Sequence, residues 1–153
     1  MKQSRNLQFL KQILAEHPFT KSLAPDQLEF ISEWASEIHF DRDEYILLEG
    51  EEANDFYLID QGQVVLRTYI SPSQGFVDVQ YLGAGDVVGW SWLIPPHHWH
   101  FSALVLQPVT AIVVDGKQLR DKCETDHEFG YEIFKRVSSM IGQRLRRTRK
   151  QLE

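Results

Sequence analysis

ILLEGEEANDFYLIDQG, residues 46–62, sets two β-rich runs on either side of one glycine and closes on another. The runs YILLE (45–49) and DFYLI (55–59) are dominated by Ile, Leu, Phe and Tyr, residues suited to a pleated, half-buried surface. Gly50 and Gly62 stand at their ends, where a positive φ is cheap only for glycine. The stretch therefore reads as strand, turn, strand, turn.

The same texture extends downstream. QVVLRTYI (63–70), FVDVQYL (76–82), HFSALVL (100–106) and VTAIVV (109–114) are further strand candidates. Turn residues separate them at Asp60-Gln61-Gly62, Ser71-Pro72-Ser73-Gln74-Gly75 and Gly83-Ala84-Gly85-Asp86. Short strands at this spacing predict a small barrel or jelly roll.

Helical periodicity flanks the β region. Leu7, Leu10, Ile13 and Leu14 recur at helical spacing until Pro18, and a second helix is predicted from about Pro25 to Glu37, with Leu28, Ile31, Trp34 and Ala35 on one face. From about Asp126 onward there is no proline. Positions 134, 138, 141, 145, 148 and 152 hold Phe, Ser, Ile, Leu, Thr and Leu in steps of four and three. That seam either packs on the chain's own barrel or pairs with a second copy as a homodimer. The predicted class is mainly β with flanking helices (α+β). It is one domain: N-terminal helices over 1–37, a jelly-roll-like β-barrel over 38–115, and C-terminal helices over 116–153.

Composition narrows the function classes. A chain of 153 residues, 42% hydrophobic and 25% charged, can bury a core without metals or disulfides. Its single cysteine, Cys123, cannot form an internal disulfide, which suits a reducing cytoplasm. No apolar run approaches the ~18 residues of a membrane span. The opening MKQSRNLQFLKQIL is too often interrupted by polar residues for a signal peptide. A net charge of -6 argues against nucleic acid as a general partner. The local exception is RLRRTRK (144–150), more simply read as a solvated helix end.

HPFTKSLAPDQLEFI (17–31) followed by ILLEGEEANDFYLIDQG resembles the cyclic nucleotide-binding domain, the β-barrel regulatory module of catabolite activator-type proteins, cyclic-nucleotide-dependent kinases and gated channels. Gly50 and Gly62 fall on the family's glycines. Glu51 and Ala53 follow the first, Phe56 to Ile59 precede the second, and the pattern continues through the GAGD turn into VVGW. The resemblance covers roughly residues 17–150. It implies a phosphate-binding cassette after the GAGD turn. There a short helix presents backbone amides to a cyclic phosphate, a glutamate takes the ribose hydroxyls, and an arginine pairs with the phosphate.

That cassette falls on GWSWLIPPHHWH (89–100), which holds three of the four tryptophans, three of the six histidines and no charged residue. Gly89 matches the family's glycine, but Trp90 stands at the glutamate position and His100 at the arginine position. Indole is a donor only, and an imidazole ordinarily titrates near ~6.5, so it replaces a permanent cation only in part. Removing one partner of a buried charge pair costs ~2–5 kcal/mol; tight binding of cyclic AMP in the family's usual manner is not expected. By the same resemblance, Arg144 and Thr148 match positions from which the C-terminal helix reaches the phosphate side and the purine. A basic tail residue and a seam residue are the plainer readings. The candidate ligand residues are therefore Gly89, Trp90, Ser91, Trp92, His100, Phe101, Ser102, Arg144 and Thr148.

The tryptophans admit three readings: a core that fills the nucleotide space, an aromatic pocket for another small molecule, or an exposed patch for a protein partner. His97, His98 and His100 raise a metal site, but no glutamate or later strand histidine completes a cupin-like set, and no metal is expected. No G-x-S-x-G, H-E-x-x-H, P-loop or G-x-G-x-x-G motif occurs, so no enzymatic activity is expected. Catabolite activator-type regulators carry a helix-turn-helix domain after the long helix, whereas this sequence runs to Glu153; DNA binding is not expected. The functional expectation is a non-enzymatic regulatory domain sensing a small-molecule effector, cyclic nucleotide or other, without a cofactor. The competing expectation is a ligand-free scaffold for a protein partner, its pocket filled by Trp side chains.

Overall fold

The computed structural model describes the backbone of residues 2–151 and the side chains of 7–150. In chain order the elements are α1 (Lys2–Glu16), α2 (Pro25–Glu33), β1 (Ala35–Phe40), β2 (Tyr45–Leu47), β3 (Asp55–Ser71), β4 (Gly75–Leu82), β5 (Val87–Val88), β6 (Ser102–Asp115), α3 (Gly116–Thr125) and α4 (His127–Gln151). One antiparallel sheet runs β1-β6-β3-β4, with β2 also pairing β6 and β5 also pairing β3. The result is a jelly-roll-like β fold with helices at both ends of the chain, as the sequence predicts.

Two strands carry the sheet because both of their faces are buried. Along β3, Phe56 and Leu58 enter a core shared with the helices, while Tyr57 and Ile59 enter the barrel interior. On β6, Ala111 faces the interior and Ile112 and Val114 face the helices. Period-two alternation with apolar partners on both sides reads in sequence as an unbroken hydrophobic run. Leu14, Ile31, Leu119, Phe129, Ile133 and Val137 complete the helical side. Leu10, Ile13 and Leu14 are buried as the α1 periodicity requires, whereas Leu7 is exposed.

The structure differs from the sequence reading in four places. Helix α2 ends at Glu33, not Glu37: residues 35–40 form β1, registered from Ala35–Val114 to Phe40–Val109. Trp34 caps the helix and stays exposed. An open edge of β6 offers the inward-facing backbone groups of 35–40 their partners, and tertiary pairing overrides a weak helical pattern.

Asp60-Gln61-Gly62 is not a turn but a bulged segment inside the continuous strand β3, with register shifts around Gln61 and Gln63. Gly62 has φ +108°, and a Cβ there would lie 2.8 Å from Val109 Cγ2, so the bulge needs glycine for close approach as well as for φ. Likewise 100–106 and 109–114 merge into β6, which begins at Ser102.

The expected seam on α4 is divided. Ile141 and Thr148 turn toward the barrel, Phe134, Ser138 and Leu145 are exposed, and Leu152 lies outside the described residues. The face that packs on the core is instead Phe129, Ile133 and Val137, at i, i+4 spacing.

Candidate functional site

The GAGD turn leads the chain into the site. Asp86 Oδ2 accepts from Gly83 N–H at 2.9 Å, and Asp86 O accepts from Ile59 N–H at 2.9 Å, which fixes the turn against β3. Strand β5 follows, paired with Tyr57 and Leu58. Gly89 then leaves the sheet with φ +88°. The cassette that follows is one turn, closed by Leu93 N–H to Trp90 O at 3.1 Å, rather than the short helix implied by the resemblance. Pro95 and Pro96 have no N–H to continue a helical ladder. The far end of the loop is tied to residues 50–53. Gly50 N–H donates to Trp99 O at 2.8 Å, Trp99 N–H to Glu51 O at 2.9 Å, and Ala53 N–H to His97 O at 2.7 Å.

These ties direct the Trp99 ring into the barrel interior, where it packs on Gly89. Beside it lies a cavity of about 190 Å³, floored by the sheet and roofed by α4. Leu47, Leu66, Val79 and Val88 supply the floor; Ile141, Leu145 and Thr148 come from the helix. Of the expected ligand residues, Gly89, Trp90, Ser91, His100, Phe101, Arg144 and Thr148 line this space.

Trp92 and Ser102 do not line it. Trp92 is fully buried in the helical-side core, 5.0 Å from the Phe56 ring centroid, with an indole N–H that has no partner among the described residues. Its position requires Gly116, whose added Cβ would meet Trp92 Cβ at 2.8 Å. The Ser102 hydroxyl accepts from Glu49 N–H at 2.9 Å and joins the loop to β6. Both residues are structural, Trp92 as core filling and Ser102 as a tie between β6 and the segment after β2.

Two polar residues organise the cavity mouth. Gln80, buried on β4, donates from Nε2 to Arg144 O at 3.2 Å, and Thr148 Oγ1 donates to the same carbonyl at 3.0 Å. Arg144 Nη2 donates back to Val87 O, so α4 is joined to both β4 and β5 at one residue. Burial pulls the Arg144 guanidinium down to about 10; Asp86 opposes that fall and Arg147 adds to it. Arg147, not Arg144, holds the ion pair with Asp86, at 3.5 Å. His100 is exposed at the rim, its ring 6.3 Å from that of Trp90. The histidine cluster gathers no ligand set: among the described residues no three His, Cys, Asp or Glu side chains converge as a metal site would need.

Sequence reasoning missed Trp99 and Gln80. Gln80 carried a signal, because it shares its strand face with Leu82, which is buried. Trp99 carried none beyond its place in an aromatic loop, since the backbone bonds to residues 50–53 decide which way it points.

The sequence profile of the cyclic nucleotide-binding domain matches residues 37–126. A cGMP-dependent protein kinase, isozyme 2, from Drosophila melanogaster is 32% identical over 89 residues, which is 58% of this chain and 9% of the kinase. The chain thus corresponds to a small part of that relative. The crystal structure of an inferred cyclic nucleotide-binding protein from Geobacter metallireducens superposes with a TM-score of 0.81 at 27% identity, covering 88% of this chain and 97% of that one. A cyclic nucleotide-binding domain from Methylobacillus flagellatus shares the fold at a TM-score of 0.77 and 18% identity, over 95% and 81% of the two chains.

Proposed function

Because this chain belongs to the cyclic nucleotide-binding domain family, we propose that it is a non-enzymatic sensor. A small molecule enters the cavity between the cassette and α4, and its presence resets the placement of that helix. The single observation that carries this reading is the open cavity itself. Three of the four tryptophans lie in or beside the cassette, yet about 190 Å³ is left unfilled at its centre. Arg144 and Thr148 on the roof and Gly89 on the floor give a ligand contacts to two elements at once. A ligand that prefers one arrangement of those elements shifts the population toward it. The output passes through α4 to a protein partner or to a second copy of the chain, in the reducing cytoplasm to which a lone cysteine is suited.

Trp90 and His100 at the positions of the family's charged anchors support a ligand altered from an ordinary cyclic nucleotide. The scaffold reading draws support from Trp99, whose ring is buried in the barrel interior, but it gives the remaining space no role. Amide hydrogen exchange over α4 separates the two, measured with cyclic AMP, cyclic GMP and small aromatic compounds added in turn at millimolar concentration. Slower exchange at residues 141–148 with any of them is the expected result. Indifference of α4 to every compound would leave the scaffold as the answer.

A further inference from the structure

We infer that the cavity under α4 accepts a compact apolar monoanion, an aryl or alkyl carboxylate, with its carboxylate on Arg144 and its apolar body against Trp99, Trp90 and Leu145. This rests on the cavity being a ligand site and specifies the chemistry of the occupant.

Three observations converge on that class. The first is charge. Among the described residues Arg144 is the only ionised group of fixed sign on the lining, and no carboxylate there lies within 4.0 Å of it. Its one hydrogen bond to protein there uses Nη2 on Val87 O, which leaves most of the guanidinium's five donors without a protein acceptor. A guanidinium held partly out of water beside apolar walls is the complement of a carboxylate, which it meets bidentately. Burial pulls its pKa down to about 10 against the attraction of Asp86, and it remains protonated at neutral pH.

The second observation is the lining's lack of charged acceptors. Among the described residues no Asp or Glu faces the cavity, and the polar side chains there are Gln80, Ser91, His100, Arg144 and Thr148. Thr148 and the Gln80 amide already donate to Arg144 O. A ribose diol or a purine amino group would find no charged acceptor, and a polar group buried without a partner weakens binding. An aryl or alkyl body makes no such demand.

The third is size. About 190 Å³ falls below the ~300–1,000 Å³ of sites that take drug-sized ligands. The Trp99 ring already covers Gly89, where a larger guest would need room.

Phenylpropionate, its amide and phenylpropylamine, together with cyclic AMP, provide the test. Each is titrated into the full chain by calorimetry, with the Gly89 and Thr148 amide resonances followed in parallel. The carboxylate is expected to bind about tenfold or more tighter than the amide, a charge-assisted pair against a neutral one. The amine is expected not to bind. Arg144→Gln should abolish the carboxylate preference, bringing the carboxylate and the amide to comparable affinity, and Arg144→Lys should keep part of it. If Arg144→Gln fails to fold, the carboxylate-to-amide ratio of the natural chain decides alone.

Equal binding of carboxylate and amide, a preference that survives Arg144→Gln, or cyclic AMP binding tighter than the carboxylate would each overturn the inference. In those cases the Gly89 and Thr148 resonances still move, and the sensor reading stands. If no compound moves them, both fall.

Discussion

The Trp99 indole covers the α-carbon of Gly89: a methyl group built on Gly89 would lie 2.6 Å from Trp99 Cη2. A residue in the loop's second half thus occupies the space that a side chain at the loop's first residue would need. Gly89 is required twice, by φ +88° and by this contact.

Gly89→Ala should therefore destabilise by about 2–4 kcal/mol, combining a left-handed backbone penalty with overpacking. In the Trp99→Leu background the loss should be smaller, since the ring is gone and the two sites are coupled. Urea unfolding of the four variants of the cycle measures this. Strictly additive losses would show that the ring yields freely.

Trp92 and Trp90 are two residues apart and should behave oppositely. Trp92 is buried against Phe56, so Trp92→Ala should cost about 3–5 kcal/mol. Trp90 is partly buried on the cavity wall, and Trp90→Ala should cost about 1 kcal/mol or less. Thermal and chemical denaturation give both values, and ligand titrations should respond to Trp90→Ala alone. Comparable losses at the two sites would contradict the placement of Trp92.

His17 makes stability depend on pH. Phe19 N–H donates to its Nδ1 at 3.1 Å, so the ring proton sits on Nε2, which donates to Ile59 O at 3.2 Å. Burial lowers the pKa from 6.5, against the pull of Asp60 and Asp86. With the folded value below the unfolded one, the unfolded chain takes up the proton first. Stability is then level above about pH 7.5 and falls as pH drops through 6.5, by at most ~1.4 kcal/mol per pH unit. Below the folded value the loss stops growing. His17→Gln should flatten that interval of the curve, and an unchanged slope would assign it to other groups.

The Cys123 thiol should be inert in the folded chain. It is buried, and burial, with Glu124 and Asp126 nearby, pushes its pKa up to about 12. Thiolate is the reactive form, so labelling by a disulfide reagent at mildly alkaline pH should proceed only as fast as the protein opens and should accelerate with urea. Immediate stoichiometric labelling of the native protein would show that α3 does not shield it.

Local chemistry made much of this legible. Glycine and proline positions, period-two runs and the helical spacing of Leu10, Ile13 and Leu14 identified the β region and its flanking helices. Seven of the nine expected ligand residues line the cavity, because Gly89 to Ser91, His100 and Phe101 are placed by the ends of β5 and β6. Where expectation and structure part, a distant partner made the choice. Residues 35–37 became strand because β6 offered an edge, and Gly62 became a bulge because Val109 sits beside it.

The sequence by itself determined the fold class and which loop would carry the site, since strand, turn and helix preferences act over a few neighbouring residues. Only the tertiary structure decided which rings fill space and which line it. Trp90, Trp92 and Trp99 are chemically the same side chain. Their exposure is set by hydrogen bonds from residues 50–53, by the absence of a Cβ at Gly89 and Gly116, and by α4 closing over Arg144. Those contacts join parts of the chain from ten to nearly sixty residues apart, and no local pattern encodes them.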